Sequence, residues 1–196
     1  MNEHPIRLAV TDDLERSRLT SFFRFILAIP HVIWFLLWSL VAAFASAINW
    51  LATVIMGRSP QGLHSFLAAY LRYRTHYYAY VRRLANPYPG FTGAQGSYPV
   101  DLRVAGPEPQ NRLKTLFRFI LAIPAQLLAL VLGTVLAVIG FLAFWVVLVL
   151  GRMPEGMQNL GAYCLRYQEQ TVGYAMYVTD RYPSLAGGPG AVSREA

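Results

Sequence analysis

The side chains in this sequence that could carry out chemistry are few and scattered. There is a single cysteine, Cys164, and the four histidines are His4, His31, His64 and His76. A catalytic centre needs an acid, a base or a nucleophile within reach of a partner group, and the spacing of these residues brings none together. Most of the ten carboxylates lie in terminal and linker segments. We therefore expect a protein that is not an enzyme, with no cofactor and no metal site.

Two arginines are stronger candidates for a functional role. Arg72 and Arg166 stand in identical Leu-Arg-Tyr triplets, within stretches that otherwise read as apolar helix. An ionisable residue at membrane depth marks a ligand site or a structural ion pair. Glu169 lies three residues after Arg166, which is near enough on a helix to pair with it. Both arginines either line a ligand or ion path, or bind lipid headgroups and cap the helices.

The composition indicates a membrane protein. Of 196 residues, 55% are hydrophobic and only 14% are charged, with a mean hydropathy of +0.36. A soluble domain needs more charge to cover its surface. The net charge of +7 comes from arginines spread along the chain rather than gathered in one stripe. We expect anionic membrane lipids as partners, and no nucleic acid.

The chain contains one unit written twice. RLTSFFRFILAIP at residues 18–30 returns as RLKTLFRFILAIP at 112–124, and the offset of 94 positions then continues without a gap. Self-similarity of this kind is the signature of a tandem duplication. It predicts a first membrane repeat at 1–97, a second at 98–191 and a C-terminal tail at 192–196.

Each repeat predicts a short N-terminal strand, an interfacial helix, a transmembrane helix and a second amphipathic or transmembrane helix. The overall fold class is therefore an all-α membrane protein. The uncharged runs 32–56 and 125–150 are long enough to cross a bilayer. The stretches 63–84 and 157–178 carry an apolar and a polar face, so they either cross the membrane or lie in its interface.

Repeat parity and charge suggest a topology. If each repeat crosses the membrane twice, the two copies have the same orientation and the protein has four crossings. In the alternative, each repeat crosses once and its second helix lies flat in the interface. With four crossings, the turns at Gly57 and Gly151 share one side of the membrane, while most arginines lie on the other side. By the positive-inside pattern, this multi-pass protein has both termini in the cytoplasm. The segments 4–10 and 98–104 are expected to pair there as a small sheet.

Four further arginines are predicted to anchor the protein to lipid headgroups. Arg24 and Arg118 belong to the interfacial helices, and Arg58 and Arg152 belong to the turns. Long arginine side chains can extend from an apolar segment to the headgroup layer.

Several segments together resemble a bacterial membrane-protein family, domain of unknown function 4389. They are FFRFILAIPH at 22–31, MGRSPQG at 56–62, LRY at 71–73 and NPYPGF at 86–91. The second repeat carries LFRFILAIP, LGRMPEG, LRY and DRYPSL. The resemblance implies an integral membrane protein of bacteria, here assigned to the cytoplasmic (inner) membrane, and it supplies no catalytic residue, cofactor or substrate.

Two functional hypotheses follow. The first is a non-enzymatic integral membrane protein with a structural or accessory role, which organises lipids or a membrane protein complex. Its partners would be lipids, together with another membrane protein or a second copy of the chain. The alternative is a small channel or transporter with a polar path between the two repeats, lined by Arg72 and Arg166.

Overall fold

The computed structural model describes residues 4–186, most of which are helical. The tail predicted at 192–196 lies outside the described residues. In chain order the elements are β1 Ile6–Val10, α1 Arg18–Leu27, α2 Ile29–Met56, α3 Gln61–Val81, β2 Val100–Val104, α4 Arg112–Leu116, α5 Arg118–Leu121, α6 Ile123–Leu150 and α7 Glu155–Ala175. The lead-in helix of a repeat is α1 in the first repeat and the broken pair α4 and α5 in the second.

Proline and glycine set the ends of the long apolar helices. Pro30 and Pro124 stand in the first turn of α2 and α6, where the missing backbone N–H is not needed. Both helices end at a left-handed glycine, Gly57 with φ 75° and Gly151 with φ 70°. Within the described residues, the stretches Ile29–Met56 and Arg118–Leu150 are long and apolar enough to cross a membrane.

The predicted pairing of the two N-terminal segments is confirmed. β1 and β2 form an antiparallel two-stranded sheet in which Leu8 lies opposite Leu102. Ile6, Leu8 and Leu102 are buried. Arg7 lies opposite Arg103, and both are exposed. The sheet therefore joins the two repeats and presents an arginine pair on its outer face.

The two repeats are intertwined. Strand β1 packs on α7 and β2 packs on α3, while α1 packs on α6 and α4 packs on α2. The segments that precede the lead-in helices also bind the opposite repeat. The backbone N–H of Arg16 donates to the carbonyl of Gly151 at 3.0 Å, and that of Gln110 donates to Gly57 at 2.8 Å. Each repeat is thus completed by elements of the other repeat.

Helices α3 and α7 lie antiparallel at the centre. Gln158, near the start of α7, donates to the carbonyl of Leu84 just beyond the end of α3, at 2.6 Å. Arg74 of α3 donates to Glu169 of α7 at 2.8 Å. Helix α2 runs back along α3, and α6 runs back along α7. The four long helices therefore lie roughly along one common axis, with each neighbouring pair antiparallel.

The antiparallel pair disagrees with one of the two predicted topologies, the one with four crossings and parallel copies. The Gly151 turn leads directly into α7, whereas the Gly57 turn binds Gln110, whose side chain donates to the carbonyl of Tyr177 beyond the end of α7 at 2.8 Å. A helix of 21 residues separates these sites by about 30 Å. The two turns cannot share one side of a membrane that α3 and α7 cross. The two turns share a side only if α3 and α7 lie parallel to the membrane plane.

The sheet covers the middle of the α3 and α7 pair. The side chain of Gln170 donates to the carbonyl of Ile6 at 2.9 Å, and His76 pairs with Asp101 at 2.6 Å. At Gly173 an added Cβ would stand only 2.2 Å from Cδ1 of Ile6, so the glycine leaves the space that the Ile6 side chain fills. A polar layer therefore lies over the centre of the helices rather than at one of their ends.

Candidate functional site

The end of α3 is closed by an arginine from the lead-in helix. Nη1 of Arg24 donates to the carbonyls of Tyr80 at 2.7 Å and Ala85 at 3.2 Å, and Nη2 donates to the side chain of Asn86 at 3.4 Å. The guanidinium also lies 4.4 Å above the ring of Tyr80. The last carbonyls of a helix lack donors within the helix and attract positive charge. Burial lowers the pKa of Arg24 to about 10, so it stays charged at neutral pH.

The same arrangement recurs 94 positions later in the second repeat. Nη1 of Arg118 donates to the carbonyls of Tyr174 at 3.4 Å and Thr179 at 2.9 Å. It also donates to the side chain of Gln110 at 3.0 Å, and Nη2 forms an ion pair with Asp180. Both repeats therefore use one arginine to bind the end of the central helix to the segment that follows it.

The prediction that Arg24 and Arg118 anchor to lipid headgroups is wrong. They are only 2% and 0% exposed, and their terminal guanidinium nitrogens bind protein acceptors instead of lipid. The periodicity of a helix shows which residues share a face, but it does not show whether that face meets lipid or protein. Arg58 and Arg152 are exposed at the turns, so for these two the headgroup role stays a prediction.

Arg72 and Arg166 each hold the segment that trails their own helix. Nε of Arg72 donates to the carbonyl of Gly93 at 2.9 Å, and Nη2 of Arg166 donates to that of Ala186 at 2.8 Å. Both side chains are partly buried. Gly93 lies so close to α3 that an added Cβ would stand 2.1 Å from the carbonyl oxygen of Ala69. Both arginines therefore hold the segment that follows their helix against that helix.

Glu169 pairs across the two repeats, not within its own helix. Its Oε1 accepts from Nη1 of Arg74 at 2.8 Å, and the side chain is 0% exposed against 13% for Arg74. The predicted pair of Arg166 with Glu169 is therefore wrong. Glu169 faces α3, where a buried carboxylate needs an opposite charge, whereas Arg166 faces its own trailing segment. Helical spacing within one repeat gave no indication that Arg74 is this partner.

The Arg74 and Glu169 pair is incompletely satisfied. Within the described residues, Oε2 of Glu169 accepts no hydrogen bond although it is buried. Burial raises the pKa of Glu169 to about 7, and the charge and hydrogen bond of Arg74 oppose that rise. A proton on this carboxyl would leave the charge of Arg74 uncompensated.

A second buried pair joins α3 to the sheet. Nε2 of His76 lies 2.6 Å from Oδ1 of Asp101, whose Oδ2 accepts from the backbone N–H of Gly96 at 2.6 Å. Burial favours the protonated acid, but the hydrogen bonds from His76 and Gly96 prevail and hold the pKa of Asp101 below its usual value. In residues 4–186, no group of three or more His, Cys, Asp or Glu is arranged to hold a metal ion.

Comparison with known proteins gives one match. The family model described as "Domain of unknown function (DUF4389)" matches residues 18–92 and again residues 112–186. Each match begins at a lead-in helix and ends in a trailing segment, so it contains the arginine and the carbonyls that the arginine binds. No curated protein and no solved structure matches the chain.

The buried capping arginine should matter far more than the exposed one of the same repeat. We expect Arg118→Leu to lower the free energy of unfolding by about 3 kcal/mol or more, because several buried carbonyls and Asp180 lose their donor. Arg152→Leu should cost about 1 kcal/mol or less, since its side chain is exposed. Thermal unfolding in detergent measures both. Equal losses would mean that Arg118 does not hold the helix end.

Replacement of Glu169 should change how stability depends on pH. A carboxyl whose pKa is raised in the folded state binds its proton more tightly there, so stability falls as pH rises from about 4.5 to about 7. We expect the melting temperature of the wild type to fall more between pH 5 and pH 8 than that of Glu169→Gln. The exposed Glu108→Gln serves as control and should follow the wild type. Identical pH profiles for wild type and Glu169→Gln would contradict the assignment.

Proposed function

This chain belongs to that family of unknown function, in two tandem copies, and from its structure we propose a non-enzymatic membrane protein with a structural or accessory role. One apolar face of the protein inserts into the bilayer, where the protein organises lipids or a membrane protein complex. The distribution of exposed apolar side chains is the observation that carries the proposal.

The large apolar side chains that remain exposed are concentrated on the lead-in helices and on α2 and α6. Examples are Phe25 at 86%, Leu130 at 69% and Val149 at 73% exposure. Among the described residues, α3 exposes none of comparable size, and α7 exposes only Leu160. Exposure of this many large apolar side chains is typical of contact with lipid.

The position of the sheet supports an orientation. If α3 and α7 crossed the bilayer, the open sheet edges and the exposed Arg7 and Arg103 would lie at its midplane. Lipid-exposed sheet edges do not occur in the hydrocarbon layer, because their backbone groups find no hydrogen bonds there. The sheet therefore belongs in water, with α3 and α7 along the membrane and the apolar helices below them.

This orientation replaces the multi-pass arrangement expected from helix length. Helices α2 and α6 are long enough to cross, but they run along α3 and α7, so they would lie within one leaflet. The turns at Gly57 and Gly151 then have equal depth. His4 and Ser184, near the two ends of the described residues, lie on the side of the sheet. We propose that this face lies in the cytoplasm of a bacterial cell, where the anionic lipids of the cytoplasmic leaflet attract a basic protein.

Anionic lipids are the proposed main partners. The net charge is +7, and the exposed Arg58 and Arg152 stand at the two ends of the molecule, where the apolar face meets water. A membrane protein or a second copy of the chain remains the proposed protein partner, and nucleic acid is not proposed as one. No enzymatic step and no cofactor enters the proposal.

Reconstitution tests the function. The purified chain should float with vesicles of phosphatidylcholine and phosphatidylglycerol, slow the lateral diffusion of labelled phosphatidylglycerol, and leave the vesicles sealed to ions. Phe25→Asp should weaken flotation at least about tenfold, since a carboxylate among lipid chains costs about 3 kcal/mol. Arg103→Asp on the sheet face is the matched control and should float normally. Ion flux above that of empty vesicles would favour the channel hypothesis instead.

Cysteine labelling tests the orientation. Gly62 and Gly156 occupy equivalent places at the two turns, and a Cβ at either meets no atom within 4 Å. In a Cys164→Ser background, Gly62→Cys, Gly156→Cys and Arg103→Cys should all react from the same side of sealed vesicles. Labelling of the two turns from opposite sides would show that α3 and α7 cross the membrane.

A further inference from the structure

A cleft of about 330 Å³ opens between α6 and α7, with Arg74 of α3 in its wall. Its other polar residues are Gln126, Gln168 and Thr171, and Leu130 belongs to its apolar wall. It thus combines a guanidinium, two amides and a hydroxyl with an apolar side. The central ion pair lies next to it, because Arg74 is also the partner of Glu169.

The first repeat fills the equivalent space with aromatic rings. There Phe35 stacks on Tyr77, with ring centroids 4.9 Å apart. The second repeat has Ala129 in the place of Phe35 and Thr171 in the place of Tyr77. The cleft therefore results from the replacement of large residues by small ones in one repeat only. In the first repeat, which has the same fold, the rings of Phe35 and Tyr77 close this space.

Gln168 is held inside the cleft by its neighbours on α6. Its Nε2 lies 3.4 Å from the carbonyl of Ala129. At Gly133 the missing side chain leaves the space that this amide occupies, since an added Cβ would stand 2.4 Å from the same nitrogen. The polar end of this side chain is thus positioned by α6 rather than left in solvent.

The cleft borders the apolar face of the protein. On α7, Gln168 and Thr171 lie on the side opposite to Gln170 and Gly173, which meet the sheet. Leu130, at the edge of the cleft, is 69% exposed and belongs to the surface assigned above to lipid. A molecule that enters from the bilayer therefore meets apolar side chains first and polar groups deeper inside.

We propose that this cleft binds the anionic head group of one membrane phospholipid, whose acyl chains lie over Leu130. The guanidinium of Arg74 binds a phosphate oxygen, and the amides of Gln126 and Gln168 donate to the remaining oxygens. The proposal rests on the membrane role proposed above, because the cleft opens at the face that is assigned there to lipid. It adds a single defined lipid site to that role.

Native mass spectrometry of the full chain tests the site. The detergent-purified protein is incubated with phosphatidylglycerol or, separately, with phosphatidylcholine, and the retained lipids are counted. The wild type should retain one phosphatidylglycerol more than Ala129→Phe, which restores the ring of the first repeat. Ala47→Phe makes the same substitution on the exposed face of α2 and should retain as much as the wild type.

A second variant guards against misfolding of Ala129→Phe. Arg74→Gln with Glu169→Gln replaces the ion pair by amides of similar size and should lose the preference for phosphatidylglycerol. Equal retention by the wild type and both cleft variants would overturn the site, and so would equal retention of the two lipids by the wild type. Vesicle flotation separates the two proposals. Normal flotation with equal retention removes only the cleft, whereas a wild type that does not float removes the membrane role as well.

Discussion

The C-terminal ends of α3 and α7 lie inside the protein, where water cannot satisfy their last carbonyl groups. Tyr80 and Ala85 are 0% exposed, and an unpaired buried carbonyl costs about 1 to 3 kcal/mol. Arg24 and Arg118 supply the missing donors from the lead-in helices. Because these helices run directly into α2 and α6, each cap also fixes where a long apolar helix begins. A lysine offers no planar set of donors that could reach several carbonyls at once.

The same cap explains the orientation of the lead-in helices. In the shared Phe-Arg-Phe-Ile-Leu segment, Arg24 is buried while the next residue, Phe25, is 86% exposed. Arg118 and Phe119 repeat this contrast, with 0% and 62% exposure. Neighbouring residues on a helix differ by about 100° in direction, so an arginine turned to protein leaves the phenylalanine turned outward. One short segment therefore links the helix caps to the apolar face.

Features that depend on the chain alone could be predicted from the sequence, whereas features that depend on a neighbouring helix could not. The uncharged run 32–56 falls within Ile29–Met56, and the pairing of two equivalent strands follows from the instability of a single strand. The partner of Glu169 does not follow, because helical spacing gives neighbours on one helix only. One signal was present: Glu169 replaces Thr75 of the first repeat, so an acid appears on one side of the molecule alone. An unmatched charge of this kind points to a partner in the other repeat.

Fusion of the two repeats makes this asymmetry available. Consider a symmetric dimer of two first repeats. Arg74 of each copy would face Thr75 of the other copy near the twofold axis, and no acid would compensate either charge. In the fused chain Glu169 takes the place of Thr75 and pairs with Arg74, while Gln168 takes the place of Arg74 in the second repeat. A second uncompensated arginine is therefore avoided at this position. The two halves can therefore change independently while the intertwined backbone stays the same. The arginine caps are kept in both repeats, whereas the residues near the Arg74 and Glu169 pair and beside the cleft differ. At these differing positions a single chain can hold one copy of a site, whereas two identical subunits would always hold two.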